Sequence, residues 1–294
     1  MRVLATRRLP GDAWEQLSDV EVGLPDRPRA DIEALIVTNE AVDLDLFPAL
    51  RLIANYGVGY DSIDLAACRA RGVAVTNTPG VLDSATADLA IGLMLAVRRR
   101  LVEGNALIRA GRWTTHWSAG PFLGHDVTGA TLGVVGMGRI GTAVARRAAA
   151  FDMRVIFHRR TNDGETGWRD LHDLLRQSDV VSLHVPLTPE TTGLLSRERL
   201  SLLRDGATLV NTARGAIVDE PALVDELVSG RISAGLDVFS HEPSVPEPLL
   251  GLPNVVLTPH IGSGTVETRA AMTRIVVDNV LALERGEPLP TRVI

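Results

Sequence analysis

The sequence contains no lysine; all 30 residues of its Lys+Arg count are arginine. A chain without lysine cannot form a Schiff base or supply the lysine of a Walker A loop, which excludes pyridoxal-phosphate enzymes and ordinary P-loop NTPases. Cysteine is nearly absent as well. The single Cys68 excludes an intrachain disulfide and a multi-cysteine zinc site, which suits a reducing compartment. No apolar run approaches a membrane span: the longest, residues 89–97, is about half of one. The N-terminus has no apolar core long enough for a signal peptide, so a cytoplasmic protein with no membrane anchor is expected. Positive charge is in deficit, with a formal net charge of -6 and a pI of 5.7, and nucleic acid is therefore not an expected partner. No pair of histidines shows H-E-x-x-H spacing, and no metal is expected.

What is present is globular material. At 294 residues the chain predicts two domains, and 45% hydrophobic with 22% charged residues excludes a disordered tail or a fibre. Short β-branched runs recur along it: VLAT (3–6), LIVT (35–38), LIAN (52–55) and VAVT (73–76) before residue 80. After residue 130 come LGVVG (132–136), VIF (155–157), VVSLHV (180–185), TLVNT (208–212), SAGLDV (233–238) and VVLT (255–258). Runs with few polar interruptions suit strands covered on both faces, with helices between them, so an α/β chain with parallel sheets is predicted. In the stretch 219–230, Asp219 is a candidate N-cap, Pro221 sits in the first turn, and Gly230 can close the helix. The Arg- and Trp-rich stretch between the two strand groups marks a domain boundary. A helix over 85–97 is expected to cross it, and a last helix over 265–284 to return to the first domain.

TLGVVGMGRIG places Gly136, Gly138 and Gly141 in G-x-G-x-x-G spacing, with Arg139 and Ile140 before the third glycine, directly after a strand and before a helix pattern. The first glycine permits a tight turn, the second lets the backbone approach a pyrophosphate, and the third lets helix and strand pack closely. With strand, turn, helix and next strand all in place, the segment reads as a dinucleotide site. An NAD-selective site would carry Asp or Glu at the end of the second strand, about 20 residues on. Here stand His158, Arg159 and Arg160; Asp152 comes before that strand and Asp163 beyond the basic run. A guanidinium pairs bidentately with a 2′-phosphate, so NADPH is the expected cofactor, with NAD as a second option. The plain alternative is a pair of surface charges after a strand.

Three more segments read as strand ends with polar groups: NTARGAIVDE (211–220), GLDVFSHEP (235–243) and LTPHIGS (257–263). Ligands in open α/β sheets sit at the carboxyl ends of strands, where Arg214, Glu242 and His260 can converge. Each alone has an ordinary reading, as a salt-bridging arginine, a solvated carboxylate and a satisfied histidine. Downstream of a cofactor turn they match what reduction of a 2-oxo acid requires: a cation for carboxylate and carbonyl, a proton donor, and a carboxylate that keeps the donor charged. His116, His125, His172 and His184 lack that context. In the first half, NYGVGYDSID (55–64) follows a strand, and the amides of Val58 and Gly59 can form an anion nest. The competing reading is a strand-to-helix turn capped by Asp61 or Ser62.

Together with GVAVTNTPGVLDSATADLAIGLML and HVPLTPETTGLL, these segments run from about residue 52 to 265 in an order that resembles the D-2-hydroxyacid dehydrogenases. TNTPGVL and PHIGSGTVETR resemble that family's NADPH-dependent glyoxylate and hydroxypyruvate reductases. The resemblance implies two Rossmann-like domains with parallel sheets. The dinucleotide-binding domain (97–263) would be inserted into a substrate-binding domain of residues 1–96 and 264–294. A homodimer joined through the cofactor domains is implied, with residues 113–122 part of the contact. Arg214 would take the substrate carboxylate and carbonyl, His260 would be the acid/base, and Glu242 would orient it. Asp237 would lie near the nicotinamide, Val58 and Gly59 would hold the substrate carboxylate, and Thr86, Pro186 and Ala213 would border the cofactor. The reaction so implied is reduction of glyoxylate or hydroxypyruvate by hydride from NADPH with a proton from His260. Alternatives are another 2-oxo or 2-hydroxy acid, or a corepressor that resembles these enzymes and senses the cofactor without turnover. The chain departs from the family pattern in a short segment 158–179, which leaves less protein beside the adenosine, and in PDRPRADIEA, which stands where a longer helix often lies.

Overall fold

The computed structural model describes residues 1–114 and 122–294, so His116 and most of the expected 113–122 arm lie outside the described residues. The strands are β1 (Val3–Ala5), β2 (Val20–Val22), β3 (Ala34–Val37), β4 (Leu52–Asn55), β5 (Ala74–Thr76), β6 (Thr131–Val135), β7 (Arg154–His158), β8 (Val180–Leu183), β9 (Thr208–Asn211), β10 (Ser233–Leu236) and β11 (Val255–Leu257). The helices are α1 (Leu65–Arg71), α2 (Asp83–Arg98), α3 (Leu101–Arg109), α4 (Arg139–Ala149), α5 (Leu171–Gln177), α6 (Arg197–Leu200), α7 (Glu220–Val228) and α8 (Val266–Arg285). No helix among the described residues is long and apolar enough to cross a membrane.

The chain divides into two compact units, Met1–Leu82 with Ser263–Ile294, and Asp83–Gly262. The first holds a five-stranded sheet in the order β2-β1-β3-β4-β5, every pair parallel. Its core gathers Leu4, Leu35, Ile53 and Val75, strand positions whose apolar runs suit a sheet covered on both faces, with Phe47 from the β3–β4 connection. The apolar runs do not announce β2: it is three residues long, carries Glu21, and lies half-exposed at the sheet edge. PDRPRADIEA forms no helix, and a short 3-10 turn at Asp12–Gln16 precedes it. α8 is set by the Thr265 hydroxyl accepting from the Thr268 amide and by Gly286, left-handed at φ 68.

The second unit holds six parallel strands in the order β11-β10-β9-β8-β6-β7. α2 belongs to this packing: Ala87, Ala90, Leu93 and Met94 join Leu132, Val134 and Val144 in one core. Gly235 of β10 makes room for it, since a Cβ there would lie 2.8 Å from the Leu93 side chain. The packing draws the boundary ahead of α2, at 82/83, where the resemblance implies one near 96. α7 starts as expected, with Asp219 accepting from the Ala222 amide and Pro221 in its first turn. β6 lies between β7 and β8, so the order reverses at its carboxyl end, the place where open α/β sheets take ligands.

Candidate active site

The glycine turn sits at that reversal. Gly136 is left-handed at φ +99, and a Cβ on it would come within 2.5 Å of the His184 carbonyl oxygen. A Cβ on Gly141 would lie 2.1 Å from the Gly136 carbonyl oxygen, whereas nothing lies within 4 Å of one on Gly138. Gly138 is the N-cap of α4 and no side chain among the described residues caps that helix, so its first-turn amides are open to an incoming anion. Arg139 pairs with Asp83 at 3.3 Å, and Ile140 packs against the core. Thr212, just past β9, keeps a buried hydroxyl with no partner among the described residues. A closely approached backbone, an uncapped helix and a spare donor fit a dinucleotide pyrophosphate.

At the end of β7 the basic residues are unequal. His158 is committed internally, its Nδ1 3.0 Å from the Arg169 carbonyl and its ring beside Trp168. Arg159 pairs with Asp163 and, at 2.7 Å, with Glu165. The Arg159 hydrogen bond holds the Asp163 carboxyl below the usual carboxylate range. Arg160 is exposed and forms no ion pair among the described residues.

The strand ends of β9, β10 and β11 carry the other polar groups. His260 follows β11 with left-handed backbone at φ 52, which is unusual outside glycine. Asp237, fully buried, holds it there. The Asp237 carboxylate accepts from the Thr258 hydroxyl at 2.6 Å and from the Ile261 and Gly262 amides at 2.8 Å, while its carbonyl accepts from the His260 amide at 2.9 Å. Burial outweighs these donors and pushes the Asp237 carboxyl up. Thr86 of α2 closes the same loop, 3.5 Å from the position of a Cβ on Gly262.

Glu242 accepts from the Phe239 amide at 3.0 Å through one oxygen and meets His260 Nδ1 at 2.7 Å through the other. Burial alone would push this carboxyl up, but His260, the Phe239 amide and Arg214 together hold it below its usual range. An ionised carboxylate only accepts, so Nδ1 donates and Nε2 is left for another partner. Arg214 begins the turn after β9. Asn211 staples that turn, donating to the Arg214 carbonyl at 2.9 Å and accepting from the Ala213 amide at 3.0 Å. Gly215 lets it press on the neighbouring loop, since a Cβ there would lie 2.0 Å from the Phe239 carbonyl carbon. The three predicted residues thus lie on adjacent strand ends of one unit, with Pro186 just past β8 on the same sheet.

A model of the D-isomer specific 2-hydroxyacid dehydrogenase NAD binding domain matches residues 91–262. Glyoxylate reductase of Pyrococcus furiosus is 45% identical over 99% of this chain and 95% of its own. The chain belongs to the D-isomer specific 2-hydroxyacid dehydrogenases. Among solved structures, this dehydrogenase is similar to a Thermus thermophilus protein, with TM-score 0.92 and 48% identity over the whole of both chains. It is also similar to the NADPH-dependent glyoxylate/hydroxypyruvate reductase of Sinorhizobium meliloti in complex with NADP and malonate, with TM-score 0.89 and 37% identity over 99% and 96% of the two chains. The expectation of an oxidoreductase with two Rossmann-like domains and a nicotinamide dinucleotide cofactor therefore holds.

In the first unit of the dehydrogenase, the 55–60 loop is shaped by two asparagines. Asn55 donates to the Gly57 and Gly59 carbonyls at 3.1 and 2.7 Å, and Asn77 to the Val58 carbonyl at 2.9 Å. Three successive carbonyls are committed to side-chain amides. Asp64, rather than Asp61 or Ser62, caps α1. Sequence reasoning overlooked both asparagines, whose spacing resembles nothing but a loop, and it overlooked Arg269. That residue is far along the chain, yet α8 brings its guanidinium over the Tyr56 ring at 5.6 Å, and Tyr56 donates to its carbonyl at 2.9 Å. Of the remaining histidines, His184 hydrogen-bonds Ser182 and burial pushes it down to about 4, and His172 sits against Arg199.

Proposed function

We propose that this dehydrogenase reduces a small 2-oxo acid, glyoxylate or hydroxypyruvate, to the 2-hydroxy acid, with NADPH preferred and NADH accepted. The observation that carries the reading is the His260–Glu242 pair, held at 2.7 Å in a loop that buried Asp237 locks. The nicotinamide, when bound, supplies the hydride. His260 gives a proton from Nε2 to the acceptor oxygen, and Glu242 keeps the ring turned for that transfer. Arg214 pairs with the substrate carboxylate and stabilises negative charge on the acceptor oxygen. The amides of Val58 and Gly59 hold the substrate carboxylate, which gives the first unit the substrate-binding role.

The second unit takes the dinucleotide. The glycine turn (136–141) cradles the pyrophosphate, with Arg139 and Ile140 in the first turn of α4, while Thr86, Pro186, Ala213 and Asp237 border the cofactor. Arg159 and Arg160, with His158 beside them, face the adenosine 2′-position. Support comes from the relatives, one named glyoxylate reductase and another NADPH-dependent. A cytoplasmic homodimer belongs to the same reading. α3 has no buried residue among those described, and its Leu101 and Ile108 are exposed, as are Trp113 and Leu123 in the chain that follows it, apolar side chains that a second copy would cover. Light scattering should then give twice the 31.5 kDa chain mass.

The direct test of the chemistry is His260→Ala. Turnover should fall by about 10² to 10⁴ while cofactor binding is preserved. Wild-type turnover in that variant would remove His260 from the mechanism.

A further inference from the structure

The cation that the cofactor reading needs is already engaged by the protein. Arg159 lies just past β7, its guanidinium over the Phe157 ring at 5.5 Å and paired with both Asp163 and Glu165. The loop that carries the two carboxylates is folded back by its backbone. Phe157 donates to the Gly167 carbonyl at 2.9 Å, Arg169 to the Phe157 carbonyl at 2.8 Å, and the Trp168 indole to the Arg159 carbonyl at 3.1 Å. Gly164 and Gly167, left-handed at φ +80 and +99, make that return possible. The carboxylates are therefore presented to Arg159 by the loop's geometry. All three side chains stay in contact with solvent, at 30%, 55% and 56% exposure, so the pairs are screened and exchangeable.

We propose that Asp163 and Glu165 are specificity-determining residues: an internal competitor for the 2′-phosphate at Arg159, which lets the enzyme accept both NADPH and NADH. The proposal rests on the reading that Arg159 and Arg160 meet that phosphate. A 2′-phosphate carries about −1.5 to −2 charges near neutrality, so it must displace the carboxylates from Arg159 or sit beside them against repulsion. Arg160 offers it a second cation. For NADH no phosphate competes, and the same carboxylates can accept from the ribose hydroxyls, as an acid at this point of the fold does. The balance between cofactors is then set by two exposed acids five and seven positions after His158, a feature that a reading of the basic run alone omits.

The test is the affinity of the full-length protein for 2′,5′-ADP and for 5′-AMP by calorimetry, alongside the NADPH to NADH ratio of kcat/KM. It compares wild type, Asp163→Asn combined with Glu165→Gln, and Arg159→Ala. The double variant should bind 2′,5′-ADP about ten-fold more tightly, the scale of one charge-assisted hydrogen bond, and its cofactor ratio should move toward NADPH. Arg159→Ala should weaken 2′,5′-ADP by about as much and 5′-AMP little. If Arg159→Ala weakens 2′,5′-ADP while the double variant leaves it unchanged or weaker, the acids do not compete and the proposal is overturned. If Arg159→Ala leaves 2′,5′-ADP unaffected, the phosphate reading of Arg159 has itself failed, and the competitor falls with it.

Discussion

In both units the first strand lies between the second and the third, so each sheet reverses its strand order at the carboxyl end of its first strand. The second unit fills that place with a glycine turn and an eleven-residue helix that no side chain among the described residues caps. In the first unit, β1 runs instead into Thr6, Arg7 and Arg8, and Glu40 takes the donors. It accepts from the Thr6 hydroxyl at 3.2 Å, Arg7 at 2.6 Å, and the Thr38 amide and hydroxyl at 2.5 and 2.7 Å. The element that follows is only the 3-10 turn Asp12–Gln16, and a Cβ on Gly11 before it would meet Ala270 of α8 at 3.0 Å. A protein carboxylate occupies the first crevice as a phosphate would occupy the second. Strand order makes the crevice, and the residues placed in it decide whether a ligand enters.

The largest effect is expected for Gly141→Ala. Its Cβ would stand 2.1 Å from the Gly136 carbonyl oxygen, so the turn must open, and cofactor affinity should drop by about 100-fold or more in a fluorescence titration. Wild-type affinity would mean that the glycine spacing serves packing alone. Asp237→Ala strips a fully buried acceptor from three donors, which should cost about 2–4 kcal/mol in denaturant unfolding and lower turnover as His260 loosens.

Glu242→Gln keeps an acceptor for Nδ1 but removes its charge, and turnover should fall about ten-fold. The Glu242 carboxyl lies below its ordinary value of 4.5, so its hold on His260 is complete above that pH and is lost as pH falls through the depressed value. The wild-type acid limb should therefore lie below pH 4.5, and a limb well above it would contradict this coupling. The smallest effect is expected for Glu40→Gln, about 1 kcal/mol of stability and no gain of nucleotide binding by the first unit. Glu40 is depressed in the same direction, with burial opposing its donors, so its contribution is present above pH 4.5 and fades as pH falls. The Gln variant should lose that slope, and a new nucleotide site in it would mean that Glu40 alone, rather than the missing glycine turn and helix, keeps nucleotide out of the first unit.

Much of this was legible because the signals are local and periodic. Apolar runs without polar breaks predict β3, β4, β6 and β8 as covered strands, and Asp219 with Pro221 predicts the start of α7. Arg214, Glu242 and His260 are legible as strand-end groups, because adjacent parallel strands bring their carboxyl ends to one side of a sheet. What escaped depends on backbone conformation or on distant partners. The φ 52 at His260 follows from Asp237, 23 positions earlier, binding the next two amides. Asp163 reads as lying beyond the basic run, yet the turn after β7 brings it onto Arg159, four positions earlier. β2 is too short and too polar to show periodicity, and α2 is apolar around much of its surface, so its pattern does not say which unit it joins.

On the proposed reading, the second unit's glycine turn and its His260–Glu242 pair serve reduction of small 2-oxo acids. The decisive measurement is the loss of reduced-nicotinamide absorbance with NADPH and with NADH, against glyoxylate, hydroxypyruvate, pyruvate and a branched 2-oxo acid. Turnover is expected on glyoxylate or hydroxypyruvate with either cofactor, faster with NADPH. Protein that binds nucleotide yet oxidises neither cofactor with any of these acids would contradict it.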